Sequence, residues 1–533
     1  MTHATFTPMA TQRADLMSRL EQGRQYDIVV VGGGATGLGV ALDAAARGFS
    51  VVLVDSHDFA HGTSSRSTKL VHGGVRYLAQ GNIALVQEAL HERAIVLKNA
   101  PYVAQPLAFV MPTYRWWESS FFGAGLKMYD LLAGRAGLGR TEMLGRRETL
   151  SYLPTLRTKG LSGGVKYWDG QFNDARLALA LARTAASRGA LLVNYCRATE
   201  LQYSQGKVSG VRCTDTLTGQ SFTLASACVV NATGVWVDEL RQQDGLAVPE
   251  PDGEPTEPLV APSQGVHMVV DREFLGSDTA LIVPKTADGR VLFAVPWLGK
   301  VILGTTDTHR KDLSREPLPF GHEIEFILNE SARYLRMAPK RIDVKSVWVG
   351  LRPLVKPPQH AGHKTKSISR EHTILSSPSG LVTVTGGKWT TYRAMAEDVL
   401  EKCEQSGLIR KTTKGLTESL SLVGAGDAAR PVVSLALAPG WHSYGAEQDF
   451  VRSLPGADDE ICAGLTQAMV RFAARYEYAM TVEDVLARRS RCLFLDARMA
   501  ARVAEQVGAI LMQETNTDPK TSEFIALAGQ YVL

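Results

Sequence analysis

Three groups of residues in this chain have types and spacings that could do chemistry. The first is Gly32-Gly33-Gly34-Ala35-Thr36-Gly37, which contains G-x-G-x-x-G as Gly32, Gly34 and Gly37. Gly32 permits a tight turn, Gly34 admits a pyrophosphate to the backbone, and Gly37 lets a helix pack closely on a strand. Ala35 and Thr36 open that helix, whose first N–H groups and dipole suit phosphates. Asp55 ends the next strand and is placed to accept hydrogen bonds from ribose hydroxyls. The second group runs from Gly62 to Leu78 and carries Thr63, Ser64, Ser65, Lys69, His72, Gly73, Gly74, Arg76 and Tyr77. Hydroxyl and cationic side chains before a glycine pair suit a pyrophosphate and a planar ring, although a solvated loop has the same composition. The third group is split between Ala232-Thr233-Gly234 and the stretch from Val382 through Gly386, Gly387, Lys388, Trp389 and Thr390. A helix N-terminus after that glycine pair would stabilise negative charge on a bound ring. The first motif does not separate NAD from FAD. The later segments favour FAD, because one elongated cofactor gives distant segments a reason to converge.

These residues need elements to hold them. Tyr26–Val31 reads as a buried parallel strand, the stretch to Arg47 as a helix stopped at Gly48, and 50–54 as a second strand, which together make a β-α-β unit. Helical periodicity recurs over 83–98 and 174–188, and strands are expected at 190–194, 225–233 and 380–386, with a helix at 388–405. Short apolar runs between turn residues from 261 to 310 predict an antiparallel sheet. Residues 1–25 read as a loose or helical extension, 406–440 as a linker and 458–513 as all-helical.

Composition limits what this framework can be. The 533 residues carry Lys+Arg 58 against Asp+Glu 54, a formal charge of +4 with no basic stripe, which argues against a nucleic-acid surface. The six cysteines form no C-x-x-C and no zinc spacing, so scattered reduced thiols and no metal site are expected. No apolar stretch is long enough to span a bilayer, and the first 25 residues lack the apolar core of a signal peptide. Residues 114–135, YRWWESSFFGAGLKMYDLLAGR, are different: they suit an interfacial helix dipping into one leaflet, or a helix packed on the protein's own core.

The run T-S-S-R-S-T-K-L-V-H-G-G-V-R-Y-L from Thr63 to Leu78, after GGGATG, resembles the FAD-dependent glycerol-3-phosphate dehydrogenases of the respiratory chain. Further matching stretches are Asn231–Trp236, Gly304–Asp307, Gly350–Leu354, Gly386–Arg393 and, in a C-terminal helical domain, Thr481–Arg489. The resemblance covers roughly 26–515. It departs from the family in the extension at 1–25 and in His61, at a position that is often small. It implies an α/β and α+β architecture of three parts. A Rossmann-like FAD domain, of the glutathione-reductase/amino-acid-oxidase type, is assembled from 26–80, 155–260 and 375–405. An antiparallel-sheet substrate domain uses 81–154 and 261–374, and a helical domain covers 440–533. The implied activity is oxidation of sn-glycerol 3-phosphate at carbon 2 to dihydroxyacetone phosphate, with FAD taking the hydride and a membrane quinone reoxidising it at the cytoplasmic face of the inner membrane. Arg352, Arg370 and Lys388 carry over as substrate or phosphate ligands, with Arg76 and Tyr77 beside the flavin. His267 is the first choice for the base that takes the C2 hydroxyl proton, Arg352 stands with it as catalytic, and His72 and Asp307 read as supporting residues.

The resemblance leaves rivals open: an oxidase passing electrons to oxygen, an amino-acid-oxidase-like flavoenzyme, or a non-catalytic redox sensor. It also leaves open a homodimer.

Overall fold

The computed structural model describes residues 8–533 apart from 79–80, 250–255, 287–288, 357–371 and 427–431, and gives only the backbone at 76 and 77. Arg370 therefore lies outside the described residues, as do the side chains of Arg76 and Tyr77.

The β-branched run Tyr26–Val31 sits at the middle of an eight-stranded sheet, solvent-excluded along its last four residues. It pairs in parallel with Val51–Val54 on one side and Ser221–Asn231 on the other. Parallel pairing continues outward to Leu191–Val193 and to Val382–Gly386. Burial on both faces is what such continuous Val/Ile/Leu runs encode. The helices Ala35–Ala46, Asp174–Ser187 and Tyr392–Gln405 cover the sheet, and the first packs against both of the others. This order brings the C-terminal ends of Tyr26–Val31, Ser221–Asn231 and Val382–Gly386 side by side. Those are the ends that carry the glycine turn, the Ala232-Thr233-Gly234 turn and the Gly386-Gly387-Lys388 turn.

A ten-stranded sheet forms the second layer. Its strands Ser263–Asp271, Lys300–Gly304, Leu292–Trp297 and Ala280–Val283 are successive antiparallel neighbours, the arrangement expected from their short apolar runs. One boundary moves. Gly163–Phe172 lies within the 155–260 portion read as FAD domain, yet it pairs over ten residues with Ala104–Thr113 in this second sheet. Its physical reason is the long partner: Leu70–Val71 and Glu142–Gly145 also pair with it, so it is a hub of the substrate layer.

The C-terminal part is helical over Gln467–Tyr476, Ala497–Thr515 and Thr521–Gln530, but it includes a small hairpin, Glu460–Cys462 with Leu465–Thr466, within the 458–513 stretch where all helix was expected. It docks through buried charge pairs. Asp58 meets Arg488 and Arg489, Arg176 meets Glu477 at 2.8 Å, and Arg183 meets Glu447 at 2.6 Å. Truncating one member of such a pair leaves a buried charge alone, at a cost of about 3–5 kcal/mol. The described residues of 406–440 are packed rather than a free linker. Leu422 and Leu435 are buried, and Gln105 clamps the backbone by donating to Val433 O and accepting from Leu435 N.

Candidate functional site

A cavity of about 320 Å³ opens where the glycine turn meets the second and third sequence groups. Gly32, Gly34, Asp55, Thr63, Ser64, Ala232, Thr233 and Gly234 all line it. Its volume falls in the usual range for small-molecule sites. Gly32 has φ 108°, and a Cβ there would sit 2.6 Å from the carbonyl oxygen of Ala232. A Cβ on Gly37 would overlap the carbonyl oxygen of Gly32, so this position holds the helix against the turn. Gly34 differs, because a Cβ there would meet only Ser64 Oγ, at 3.1 Å. Its lack of a side chain clears the cavity rather than the protein's own packing.

Asp55 is more heavily engaged than a ribose acceptor need be. Its Oδ2 accepts from Gly33 N at 2.6 Å and its Oδ1 from His57 N at 2.9 Å. Burial pushes its carboxyl above the ordinary range, against those two N–H donors. Ser64 Oγ accepts from Ala35 N at 2.9 Å, which ties the second sequence group to the helix start. Trp389 Nε1 donates to Ser64 O at 2.9 Å, Thr390 Oγ1 accepts from His72 N at 3.2 Å, and Gly73 N donates to Tyr129 Oη at 2.8 Å. Thr385 Oγ1 donates to Gly234 O at 3.0 Å. The three groups thus interlock through hydrogen bonds spanning some 300 positions of sequence.

Two residues of the second group turn inward. Lys69 is fully buried, with Nζ 2.7 Å from Asp174 Oδ2 and 2.7 Å from Ser65 O, enclosed by the rings of Trp297, Trp348 and Phe494. Burial brings its ammonium down to about 7 despite Asp174. The Ser65 carbonyl also accepts from Arg491 at 2.7 Å, so Lys69 and Ser65 brace the loop from behind. Ala35, Thr36, Gly74 and Gly387 shape backbone around the site. Gly74 and Gly387 have positive φ, and a Cβ on Gly387 would collide with Met395.

A second cluster lies in the substrate layer. His267 on the strand Ser263–Asp271 is 2% exposed and stacks on Trp348. Thr68 Oγ1 lies 2.9 Å from its Nε2, while its Nδ1 is buried with no hydrogen-bond partner. Burial, with help from Lys69 and Arg352, holds the imidazole well below its ordinary pKa, so it is neutral near pH 7. Arg352 pairs across from Ser263, and its guanidinium folds back over Gly265, where any Cβ would strike it. It donates to Thr306 O at 2.9 Å and to Thr305 Oγ1 at 3.3 Å, and faces Asp307 at 3.2 Å. Gly304, the residue opposite His267, likewise must lack a Cβ to make room for the ring. Lys388 is half-buried at the start of the turn Trp389–Thr391.

Several lining residues escaped the sequence reading. Arg315 stacks on Trp236, with its guanidinium carbon 3.8 Å from the ring centroid, and both line the cavity. His57 and His61 stand together at its edge, their rings tilted by 31° with centroids 4.8 Å apart. His61 also lies 3.2 Å from Glu483 and 3.6 Å from Glu316, a trio of metal-ligand types where no metal motif was expected. Both carboxylates already have cation partners, Arg66 for Glu316 and Arg488 for Glu483, which competes with a metal ion.

The helix Glu118–Ala133 buries Gly123, Leu126, Tyr129 and Ala133, so Leu126 and Tyr129 leave the set of membrane-facing candidates. A second apolar face stays outside: Trp116 is 89% exposed, Phe121 66% and Leu131 73%, with Trp117 and Met128 beside them. Among the described residues, no helix is long and apolar enough to cross a membrane.

A glycine turn fused to a helix start, an acidic strand end, and a cavity joining three remote segments define a dinucleotide-binding flavoprotein. The comparisons agree. The family model described as "FAD dependent oxidoreductase" matches residues 27–399, and that described as "C-terminal domain of alpha-glycerophosphate oxidase" matches 441–522. The chain is 40% identical to the mitochondrial glycerol-3-phosphate dehydrogenase of Arabidopsis thaliana over 534 residues, covering 92% of this chain and 83% of that one. It is 38% identical to the human mitochondrial glycerol-3-phosphate dehydrogenase, covering 98% and 75%. Among solved structures, the glycerol-3-phosphate dehydrogenase from Bacillus halodurans complexed with FAD matches with a TM-score of 0.75 and 30% identity over 98% of both chains. The chain belongs to the FAD-dependent glycerol-3-phosphate dehydrogenase family. FAD fits the residues present: the cradle at Gly32 and Gly34 admits a pyrophosphate, and Asp55 retains lone pairs for a ribose.

Proposed function

We propose that this enzyme oxidises sn-glycerol 3-phosphate to dihydroxyacetone phosphate, with FAD as the immediate electron acceptor and a membrane quinone as the next. The observation that carries the reading is the pairing of a buried neutral imidazole, whose Nδ1 lacks a partner, with a fixed guanidinium on the neighbouring strand.

FAD, when bound along Gly32, Gly34, Thr63, Ser64 and Ala232–Gly234, supplies the two-electron acceptor. The protein supplies the rest. Arg352 binds the phosphate dianion, and its bonds to Gln264, Thr305 and Thr306 fix the orientation of its guanidinium. The family resemblance assigns further positive charge at the phosphate to Lys388, Arg370 and Arg76, and a role beside the flavin to Tyr77. His267 Nδ1 takes the proton of the C2 hydroxyl. For this, its other nitrogen must carry hydrogen, and Thr68 Oγ1 is positioned to accept that N–H. The apolar wall of Trp348 excludes water from the ring.

The exposed aromatic face around Trp116 and Phe121 supports interfacial binding to one leaflet, the cytoplasmic one by the family resemblance, and hence a lipid-soluble acceptor over oxygen. The test of the substrate site is Arg352→Lys, which keeps the charge and loses the fork. A charge-assisted hydrogen bond contributes about 1.5–3 kcal/mol, so kcat/KM for glycerol 3-phosphate should fall roughly 10- to 150-fold. An unchanged kcat/KM would remove Arg352 from the phosphate site. Stoichiometric peroxide on turnover with no reduction of added quinone would replace the quinone by oxygen.

A further inference from the structure

All six cysteines of this chain meet another cysteine in space. Cys213 is a neighbour of Cys196, and Cys228 of Cys403, with all four at 0% exposure within the core of the FAD domain. The third pair is placed differently. Cys462 Sγ and Cys492 Sγ lie 3.3 Å apart in the C-terminal domain, and Cys462 is the one cysteine of the six that is not fully buried. A disulfide needs the sulfurs at about 2.0 Å, so the gap to close is on the order of 1.3 Å.

The two sides of the pair differ in how easily they move. Cys462 ends the strand Glu460–Cys462, and its partner strand Leu465–Thr466 follows a turn through Ala463 (φ 44°) and Gly464 (φ 78°). This is a two-strand ribbon at the edge of its domain, and such ribbons are only marginally stable on their own. Cys492 is 1% exposed and stands on a fixed segment. Its neighbour Arg491 donates to Ala487 O at 2.8 Å and to Ser65 O at 2.7 Å, and lies 3.4 Å from Asp174. That is the same Ser65 carbonyl that receives Lys69 behind the cofactor loop.

We propose that Cys462 and Cys492 are a redox-modification site, a dithiol that hydrogen peroxide converts into a reversible disulfide joining the surface hairpin to the segment that braces the cofactor loop. Accessibility sets the order of steps. Cys462 is the accessible thiol; its hydrogen bond to Cys492 and its burial hold its proton, which leaves as its sulfur attacks one peroxide oxygen. The O–O bond breaks, Cys462 becomes a sulfenic acid, and the leaving hydroxide takes up the proton as water. Cys492 Sγ then attacks the Cys462 sulfur, the S–O bond breaks, and the hydroxide leaves with the Cys492 proton as a second water. Two thiols lose two electrons and two protons in all, and one peroxide becomes two waters. A dithiol reductant reverses the change. The core pairs share the proximity but not the access, so they serve as internal controls.

The experiment uses the full-length, FAD-loaded protein. It is treated with hydrogen peroxide, quenched, alkylated under denaturing conditions and mapped by mass spectrometry. The expected result is the loss of two free thiols from the six, a crosslink between the Cys462 and Cys492 peptides that dithiothreitol removes, and full alkylation of Cys196, Cys213, Cys228 and Cys403. Cys462→Ser, a change at the half-buried position, should keep all its remaining thiols out of disulfides. Six alkylatable thiols after treatment would overturn the proposal. So would irreversible oxidation of Cys462 without the crosslink, or a crosslink confined to the core pairs.

Discussion

The glycine turn offers a prediction that separates two roles usually lost together. Gly34→Ala and Gly37→Ala are the same chemical change three residues apart, yet the structure assigns them different consequences. At Gly37 the new methyl group would overlap the carbonyl oxygen of Gly32 and touch Ala232 Cβ at 3.4 Å. A backbone carbonyl in the turn cannot rotate aside, so the helix Ala35–Ala46 must lift from the strand. Overpacking of this kind costs about 1–3 kcal/mol. At roughly 2–4 °C per kcal/mol for a domain of 150–250 residues, the FAD-free protein should melt several degrees lower. At Gly34 the nearest atom is Ser64 Oγ at 3.1 Å, the end of a short side chain that can turn away. Its FAD-free form should melt within about 1–2 °C of the parent, because surface-type changes rarely exceed ±0.5 kcal/mol. Both variants should bind FAD weakly, Gly34→Ala because the methyl group occupies the path of the pyrophosphate. The assay is differential scanning calorimetry of the deflavinated proteins, followed by FAD titration through flavin fluorescence. If Gly34→Ala retains parental FAD affinity, the cavity at Gly32 and Gly34 is not the pyrophosphate site.

Other consequences follow from the same geometry. Thr68→Val keeps the shape and removes the hydroxyl at His267 Nε2. A lost hydrogen bond contributes about 0.5–1.5 kcal/mol, so kcat should fall roughly 2- to 10-fold with KM unchanged and with an altered pH profile; a change confined to KM would place Thr68 outside the proton path. Replacing Trp116, Trp117 and Phe121 together by Ser should release the protein from liposomes while dye-linked turnover survives; a variant that stays bound would return this helix to ordinary surface. His57, brought down to about 3, and His267, held well below its usual value, are both neutral in the fold. The unfolded chain takes up their protons below pH ~6.5, so stability is full above that pH and declines as it falls, by up to about 1.4 kcal/mol per pH unit for each histidine. Urea midpoints at descending pH should show this slope, and His57→Gln should remove its share. An unchanged slope in that variant would mean that His57 is protonated in the fold.

How much of this was legible in the sequence depends on the range of the constraint. The turn at Gly32–Gly37 is a local backbone requirement, and local glycines carry it. The flanking strands are continuous apolar runs because both faces are buried. Interactions across scores or hundreds of positions left no such trace. Nothing near Thr68 announces His267, nothing near Trp236 announces Arg315, and nothing near Asp58 announces Arg488. Lys69 looked like a cofactor contact because cations in a glycine- and hydroxyl-rich loop suit phosphate. Its actual partner, Asp174, opens a helix a hundred residues away. Gly163–Phe172 was misplaced because a strand's sheet depends on its partner, which its own residues do not name. The helix Glu118–Ala133 is apolar on two faces, so periodicity alone mixed the inward Leu126 and Tyr129 with the outward Phe121 and Leu131.

The central claim is that glycerol 3-phosphate reduces this flavoprotein directly. It is tested by mixing the purified, FAD-loaded enzyme anaerobically with sn-glycerol 3-phosphate, with glycerol, and with inorganic phosphate, and following the flavin's visible absorption band. The account predicts rapid bleaching by glycerol 3-phosphate alone. An unbleached band, or equal bleaching by glycerol, would contradict it.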